Sequence, residues 1–185
     1  MIEQKMQSYT RELCEQETNI LTPHFYAEHI ALVSDYADQL GRELGGDPEV
    51  IELASCLHDI SAIINFNTLP SHHLESANLA ADLLEKHDYP REKIDHVREC
   101  IEKHTTPIQA DQGTIEAVCV SNADAMSQIA NPAFWIFFAV KLRSLDYAVA
   151  KQWYLDRIDA NWNALIEPAR NIVEEKYWLV KKAME

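Results

Sequence analysis

Nowhere along its 185 residues does this chain alternate apolar and polar side chains as a half-buried strand must. Apolar residues recur instead every three or four positions, the spacing of one helix face. Only 4 glycines interrupt long stretches of Ala, Leu, Glu, Lys and Gln, whose intrinsic preference is helical. The punctuation is helical too. Thr22-Pro23, Asp47-Pro48, Ser71 and Asn131-Pro132 read as helix starts, and Gly45-Gly46 and Tyr89-Pro90 as stops. The prediction is an all-α, single-domain helical bundle over 1–185. Helices are expected over 2–18, 22–44, 47–58, 71–87, 91–104, 114–129 and 131 into the 140s. The remainder, to Lys182, reads as helix with a break or kink at Glu167-Pro168. Residues 60–70 read as loop or short irregular helix, and 105–113 as loop.

Charge narrows the partners. At a formal net charge of −14, the surface repels polyanions, so non-specific binding to nucleic acid or to an anionic membrane is disfavoured. A small phosphate ester is not excluded, because a metal centre is locally cationic. The first six residues, Met1 to Met6, show no basic region followed by an apolar run, so no signal peptide is expected. The longest apolar run, Ala133 to Val140, is far too short to span a bilayer and reads as buried helix. Cys14, Cys56, Cys100 and Cys119 form no paired motif, and three of them sit in apolar helical patterns. They read as reduced core thiols of a cytoplasmic protein.

Eight histidines are present, and those sharing a face with apolar neighbours are the informative ones. His29 shares its face with Phe25, Leu32, Val33, Tyr36 and Leu40, and His58 with Ile51 and Ala54. His104 ends a stripe of Ile94, Val97 and Ile101; His73 begins one of Ala77, Ala80 and Leu84. Four inward imidazoles are hard to satisfy by packing alone, whereas a shared cation satisfies them together. Asp124 follows the all-apolar Ala117-Val118-Cys119-Val120, so its carboxylate needs a partner as well. Two His-Asp pairs occur. His58-Asp59 ends a helix rich in Ile, Leu, Ala and Cys, while His87-Asp88 sits at a polar helix end and is set aside as a surface pair.

The ordered set resembles the HD-domain superfamily of metal-dependent phosphohydrolases. The resemblance runs over about 25–130. Its pieces are Glu28-His29-Ile30, Ala54-Ser55-Cys56-Leu57-His58-Asp59-Ile60, His73-Leu74-Glu75-Ser76-Ala77, Ile101-Glu102-Lys103-His104-Thr105 and Ala123-Asp124-Ala125. The resemblance implies an HD core of about 22–130 followed by a C-terminal helical extension, 131–185. It implies that His29, His58, Asp59 and Asp124 hold one metal. His73 and His104 would hold a second, bridged by Asp59, with His58 and Asp59 at the catalytic centre. His72 competes with His73 and could start its own stripe through Leu79 and Leu83. His73 is preferred because Ala77, four positions on, matches the family spacing. One or two divalent ions are expected: iron, manganese, another first-row metal or magnesium. Ile60-Ser61-Ala62 replaces the Gly-Lys often found after the His-Asp pair in the cyclic-dinucleotide branch, which argues against that substrate.

The resemblance implies hydrolysis of a small phosphate ester or nucleotide by a metal-activated water. Glu75, Lys103, Lys141 and Arg143 are weighed as acid or phosphate ligands and read as surface charges. The aromatic-rich 131–182 stretch reads as helical core, with a pocket wall or a homodimer interface as alternatives. Two rival functions stay open: a di-iron oxygenase of the same fold, for which the same six residues would serve, and a non-catalytic module binding a nucleotide or a partner.

Overall fold

The structure, a computed structural model, describes residues 1–184. Ten α-helices follow one another, and no β-strand occurs among the described residues: α1 Ile2–Cys14, α2 Ala31–Leu44, α3 Pro48–Leu57, α4 Ile60–Ile64, α5 His72–Glu85, α6 Arg91–Glu102, α7 Ile115–Ala130, α8 Pro132–Lys141, α9 Tyr147–Ala164 and α10 Glu167–Ala183. A π-helical turn, Tyr26–Ile30, leads into α2, and a 3-10 turn, Phe66–Ser71, leads into α5. The expected all-α single domain is the observed one.

Several starts are capped as their sequences require. The Asp47 carboxylate accepts from the amides of Glu49 and Val50, with Pro48 opening α3. Thr114 accepts from Ala117 N at 3.2 Å and Asn131 from Phe134 N at 3.3 Å. Gly45, at φ 85°, closes α2 in the left-handed conformation, its amide returning to Gly41 O. Elsewhere the chain departs from expectation. Thr22 caps nothing; it sits at φ 82° in a turn organised by the Asn19 side chain, which donates to Cys14 O and Thr22 O. The helix expected from 22 therefore begins at Tyr26. Ser71 makes no side-chain cap to α5. The C-terminal stretch breaks where expected, after the helix from Pro132 and at Glu167-Pro168. Asp146 starts α9 by accepting from Val149 N at 3.1 Å, and extended Leu165 and Ile166 separate α9 from α10 just ahead of Glu167.

The core centres on α7. Residues Ala117 through Ile129 are all buried, and α2, α3, α6, α8, α9 and α10 all pack on this helix. Its Ala, Ser and Cys side chains are small enough for neighbours to approach from every side. Its polar members are satisfied internally. Asn122 donates to Ile108 O and Val118 O and accepts from Ile166 N, so one amide stitches the 105–113 loop and the start of α10 to the middle of the bundle. The four cysteines are buried and unpaired, and among the described residues no helix is long and apolar enough to cross a membrane.

Candidate metal centre

Each candidate ligand sits where an element ends or changes its winding. His29 lies in the π-turn, in which Ala31 N–H reaches five residues back to Tyr26 O. Such turns are frequent at functional sites. His58 closes α3 in helical geometry, and Asp59, at φ −112° and ψ 10°, turns the chain into α4. That change of direction lets two adjacent side chains point to one place. His72 opens α5, His104 follows α6, and Asp124 projects from the middle of α7.

The imidazoles are oriented by one repeated device. The Nδ1 atoms of His58, His72 and His104 each lie 2.7 Å from the carbonyl three residues earlier: Ser55, Leu69 and Ile101 respectively. A carbonyl only accepts, so Nδ1 carries the proton in all three. His29 Nδ1 lies 3.0 Å from Ser127 Oγ, whose own hydroxyl donates to Asp124 O at 2.7 Å, so this Nδ1 is also the donor. Four Nε2 lone pairs are thereby freed and aimed inward, as metal-binding histidines require.

Those atoms converge in two groups. His29 Nε2 lies 3.0 Å from His58 Nε2, and each is 3.4 Å from Asp59 Oδ2; His29 Nε2 is also 3.3 Å from Asp124 Oδ1. His72 Nε2 lies 3.0 Å from His104 Nε2, and they are 3.4 and 3.6 Å from Asp59 Oδ1. Asp59 thus divides its two oxygens between the groups, and buried Oδ1 has no hydrogen-bond partner among the described residues.

The donor set fits a metal. Two lone-pair-bearing nitrogens at 3.0 Å repel unless a cation stands between them. Metal–nitrogen bonds of about 2.1 Å put ligands at right angles about 3.0 Å apart. Imidazole with carboxylate suits first-row divalent ions. The electrostatics agree. Burial disfavours a charged His58, but the Asp59 carboxylate beside it, helped by Asp124 and Ser55 O, outweighs burial and raises its pKa to about 9. Burial likewise works against the Asp59 anion, yet His58, His104 and His29 hold its pKa well below the usual carboxylate range. The centre therefore favours positive charge beside Asp59 even when that charge is only a proton.

Five of the six expected ligands, His29, His58, Asp59, His104 and Asp124, are brought together. His73 is not, and it requires correction: His72 takes the place beside Asp59 and His104. The reason lies one turn on. Ser76 is fully buried and bonds Ser61, its Oγ accepting from Ser61 N at 3.1 Å and donating to Ser61 Oγ at 3.0 Å. This contact turns the His72–Ser76 edge of α5 toward the Asp59–Ser61 segment, about 100° away from His73. His87-Asp88 is exposed at the end of α5, as are His24, His96 and Glu75. Lys103 is held by Glu99 and Gln112 O, away from the centre, and Lys141 is exposed.

A cavity of about 220 Å³ opens over the two groups. Trp135, Phe138 and Trp153 wall it, so these members of the 131–182 stretch form the side of a pocket, whereas Tyr154 and Tyr177 pack in the core. Arg143, read from sequence as a surface charge, is exposed as expected and also lines the cavity, with Arg157 and Gln128. Arg157 and Gln128 carried no sequence signal, because each is defined by a partner on another helix. Gln128 Nε2 donates to Asp124 Oδ2 at 2.8 Å, and its Oε1 accepts from Arg157 Nε at 2.6 Å and Asn161 Nδ2 at 2.9 Å.

Comparison with known proteins agrees with the all-α fold. The family model described as HD domain matches residues 26–129. No curated protein matches the chain by sequence. Among solved structures, Bacillus subtilis YpgQ is 21% identical with a TM-score of 0.70, covering 100% of this chain and 94% of its own. YpgQ in complex with ADP is similar at 17% identity and TM-score 0.71, over 98% and 93% of the two chains. A predicted HD superfamily hydrolase from an uncultured Thermotogales bacterium is 19% identical with a TM-score of 0.65, over 97% and 87%.

Proposed function

The chain belongs to the HD domain family, and from that premise we propose that it is a metal-dependent phosphohydrolase acting on a small phosphate ester or nucleotide. His29, His58, Asp59 and Asp124 would hold one divalent ion, and Asp59, His72 and His104 a second. The observation that carries the reading is the division of the Asp59 carboxylate between two inward-facing histidine groups at the floor of a cavity that also holds Arg143 and Arg157. Bound metal would supply an acidified water as nucleophile and neutralise charge on the phosphoryl oxygens.

The protein's own residues do the rest. The Nδ1 hydrogen bonds fix each ring so that no rotation is needed when the ligands engage. Trp135, Phe138 and Trp153 keep bulk water from one side of the centre and offer apolar, planar surface to whatever part of the substrate is not phosphate. Arg143 and Arg157 offset the cavity's Asp59 and Asp124, so in a chain of net charge −14 the cavity escapes the surface's negative charge and bound metal would make it cationic, which supports an anionic substrate. That YpgQ is found in complex with ADP supports a nucleotide among the candidates.

The test is metal content and phosphate release measured together. Protein loaded with manganese or iron is screened against nucleotides and generic phosphate esters, beside His58→Ala and Asp59→Ala. Metal and activity are expected to disappear together in both variants. Unchanged metal content in either variant would remove the proposed centre and favour a non-catalytic module. Two bound irons with oxygen consumption and no phosphate release would replace the reading with the di-iron oxygenase.

A further inference from the structure

Arg157 forms no salt bridge among the described residues, although it feels Asp124 and Asp59 across the cavity. Arg42, Arg91 and Arg98 each pair with a carboxylate. Arg157 pairs with none among the described residues, although the chain holds 30 acidic residues against 16 Lys and Arg. It is partly buried and lines the cavity over the metal centre. Its single protein hydrogen bond uses Nε, to Gln128 Oε1, so its two terminal amino groups meet no protein acceptor among the described residues.

Its position is fixed from several directions. The guanidinium lies over the Trp135 ring at 5.5 Å and the Trp153 ring at 5.7 Å. Gln128 cannot flip its amide, because Oε1 accepts from both Arg157 and Asn161 while Nε2 donates to Asp124. Tyr154, on the same face of α9, anchors that helix through its hydroxyl to Gln128 O and Ile129 O. Arg143 sits over Trp153 as well, at 5.2 Å. Two guanidinium groups thus share one indole, and neither forms a salt bridge with a carboxylate among the described residues, so one anion can meet both. The buried indole N–H of Trp135 has no acceptor among the described residues.

We infer that Arg157 binds the phosphate oxygens of the substrate, and that Gln128 is a positioning residue fixing the guanidinium relative to the ligand Asp124. The inference rests on the phosphohydrolase reading and adds to it a cation from α9, outside the matched HD segment. The arginine fork suits two phosphate oxygens at once, which a lysine cannot reproduce.

The experiment uses manganese-loaded full-length protein with inorganic phosphate as the probe, read by calorimetry, with metal content and thermal stability measured on every variant. Arg157→Ala should keep its metal and bind phosphate on the order of tenfold more weakly or worse. Arg157→Lys, which keeps the charge and guards against a folding defect, should fall between. Gln128→Ala should weaken phosphate binding in the wild-type background but add nothing to Arg157→Ala, since a positioning residue has no effect once its charge is gone. Wild-type phosphate affinity in Arg157→Ala, or a full additive loss from Gln128→Ala, would overturn the inference and leave the hydrolase reading intact. A metal-loaded wild type that neither binds phosphate nor releases it from p-nitrophenyl phosphate would instead overturn that reading, and the inference with it.

Discussion

His72 and His104 face each other across 3.0 Å, Nε2 to Nε2, with each opposite nitrogen tied to a backbone carbonyl 2.7 Å away. The geometry suits the pair to hold a metal together with Asp59 Oδ1. Replacing His72 with Ala should lower the metal content from two ions to one per chain, while His73→Ala leaves it at two. Elemental analysis of the purified variants after reloading decides this; loss of metal from His73→Ala alone would reverse the assignment.

Protons and metal compete for the centre. The folded-state pKa of His58 is raised from 6.5 to about 9 in the absence of metal. The protonated imidazole therefore contributes stability that is fully present below about pH 6.5 and is lost as pH rises through 9. Asp59 has the opposite sign: its depressed pKa contributes stability that is present above 3.8 and lost as pH falls through its lowered value. Chelated protein should melt at progressively lower temperature from pH 6.5 to 9, other titrations being matched by a His58→Gln control. Metal affinity should rise over the same interval as the competing proton leaves. Thermal melts with and without metal at each pH test both halves.

Ser127 fixes the orientation of His29 without touching the metal position. Its Oγ accepts from His29 Nδ1 at 3.0 Å and its hydroxyl returns to Asp124 O. Ser127→Ala should lower metal affinity by about 10- to 100-fold, the usual cost of losing such a supporting bond, with little change in helical content. Competition with a chromogenic chelator measures it, and wild-type affinity would show that packing against Phe25 and Trp135 alone sets the ring.

The docking of α9 can be weighed separately. Tyr154 is fully buried and its hydroxyl donates to Gln128 O at 3.0 Å and Ile129 O at 3.2 Å. Tyr154→Phe keeps the ring and removes those bonds, so it should cost about 1 kcal/mol of stability while metal content stays unchanged. Denaturant titration gives the first quantity and elemental analysis the second.

The sequence was informative where local rules and buried neighbours agree. The apolar stripes of His29, His58 and His104 and the run before Asp124 put these groups in one interior, and the caps at Asp47, Thr114 and Asn131 set three helix starts. The choice between His72 and His73 failed because both begin plausible stripes. The deciding contact is polar, Ser76 to Ser61, and a buried serine leaves no apolar trace. Arg157 and Gln128 were invisible for a related reason. They lie 29 residues apart on different helices, and each reads alone as a surface residue. The π-turn is equally silent in composition, since Tyr-Ala-Glu-His-Ile suits an ordinary helix.

That π-turn also sets a rule about chain length. The turn Tyr26–Ile30 puts His29 at the metal centre and passes the chain to α2, whose Val33, Tyr36, Ala37 and Leu40 face the bundle interior. The segment should therefore accept changes of side chain at its exposed positions far more readily than a change in residue number. Deleting Ile30 would bring the stripe one residue nearer to His29 and turn the imidazole about 100° out of step with it, so the two could no longer both face inward.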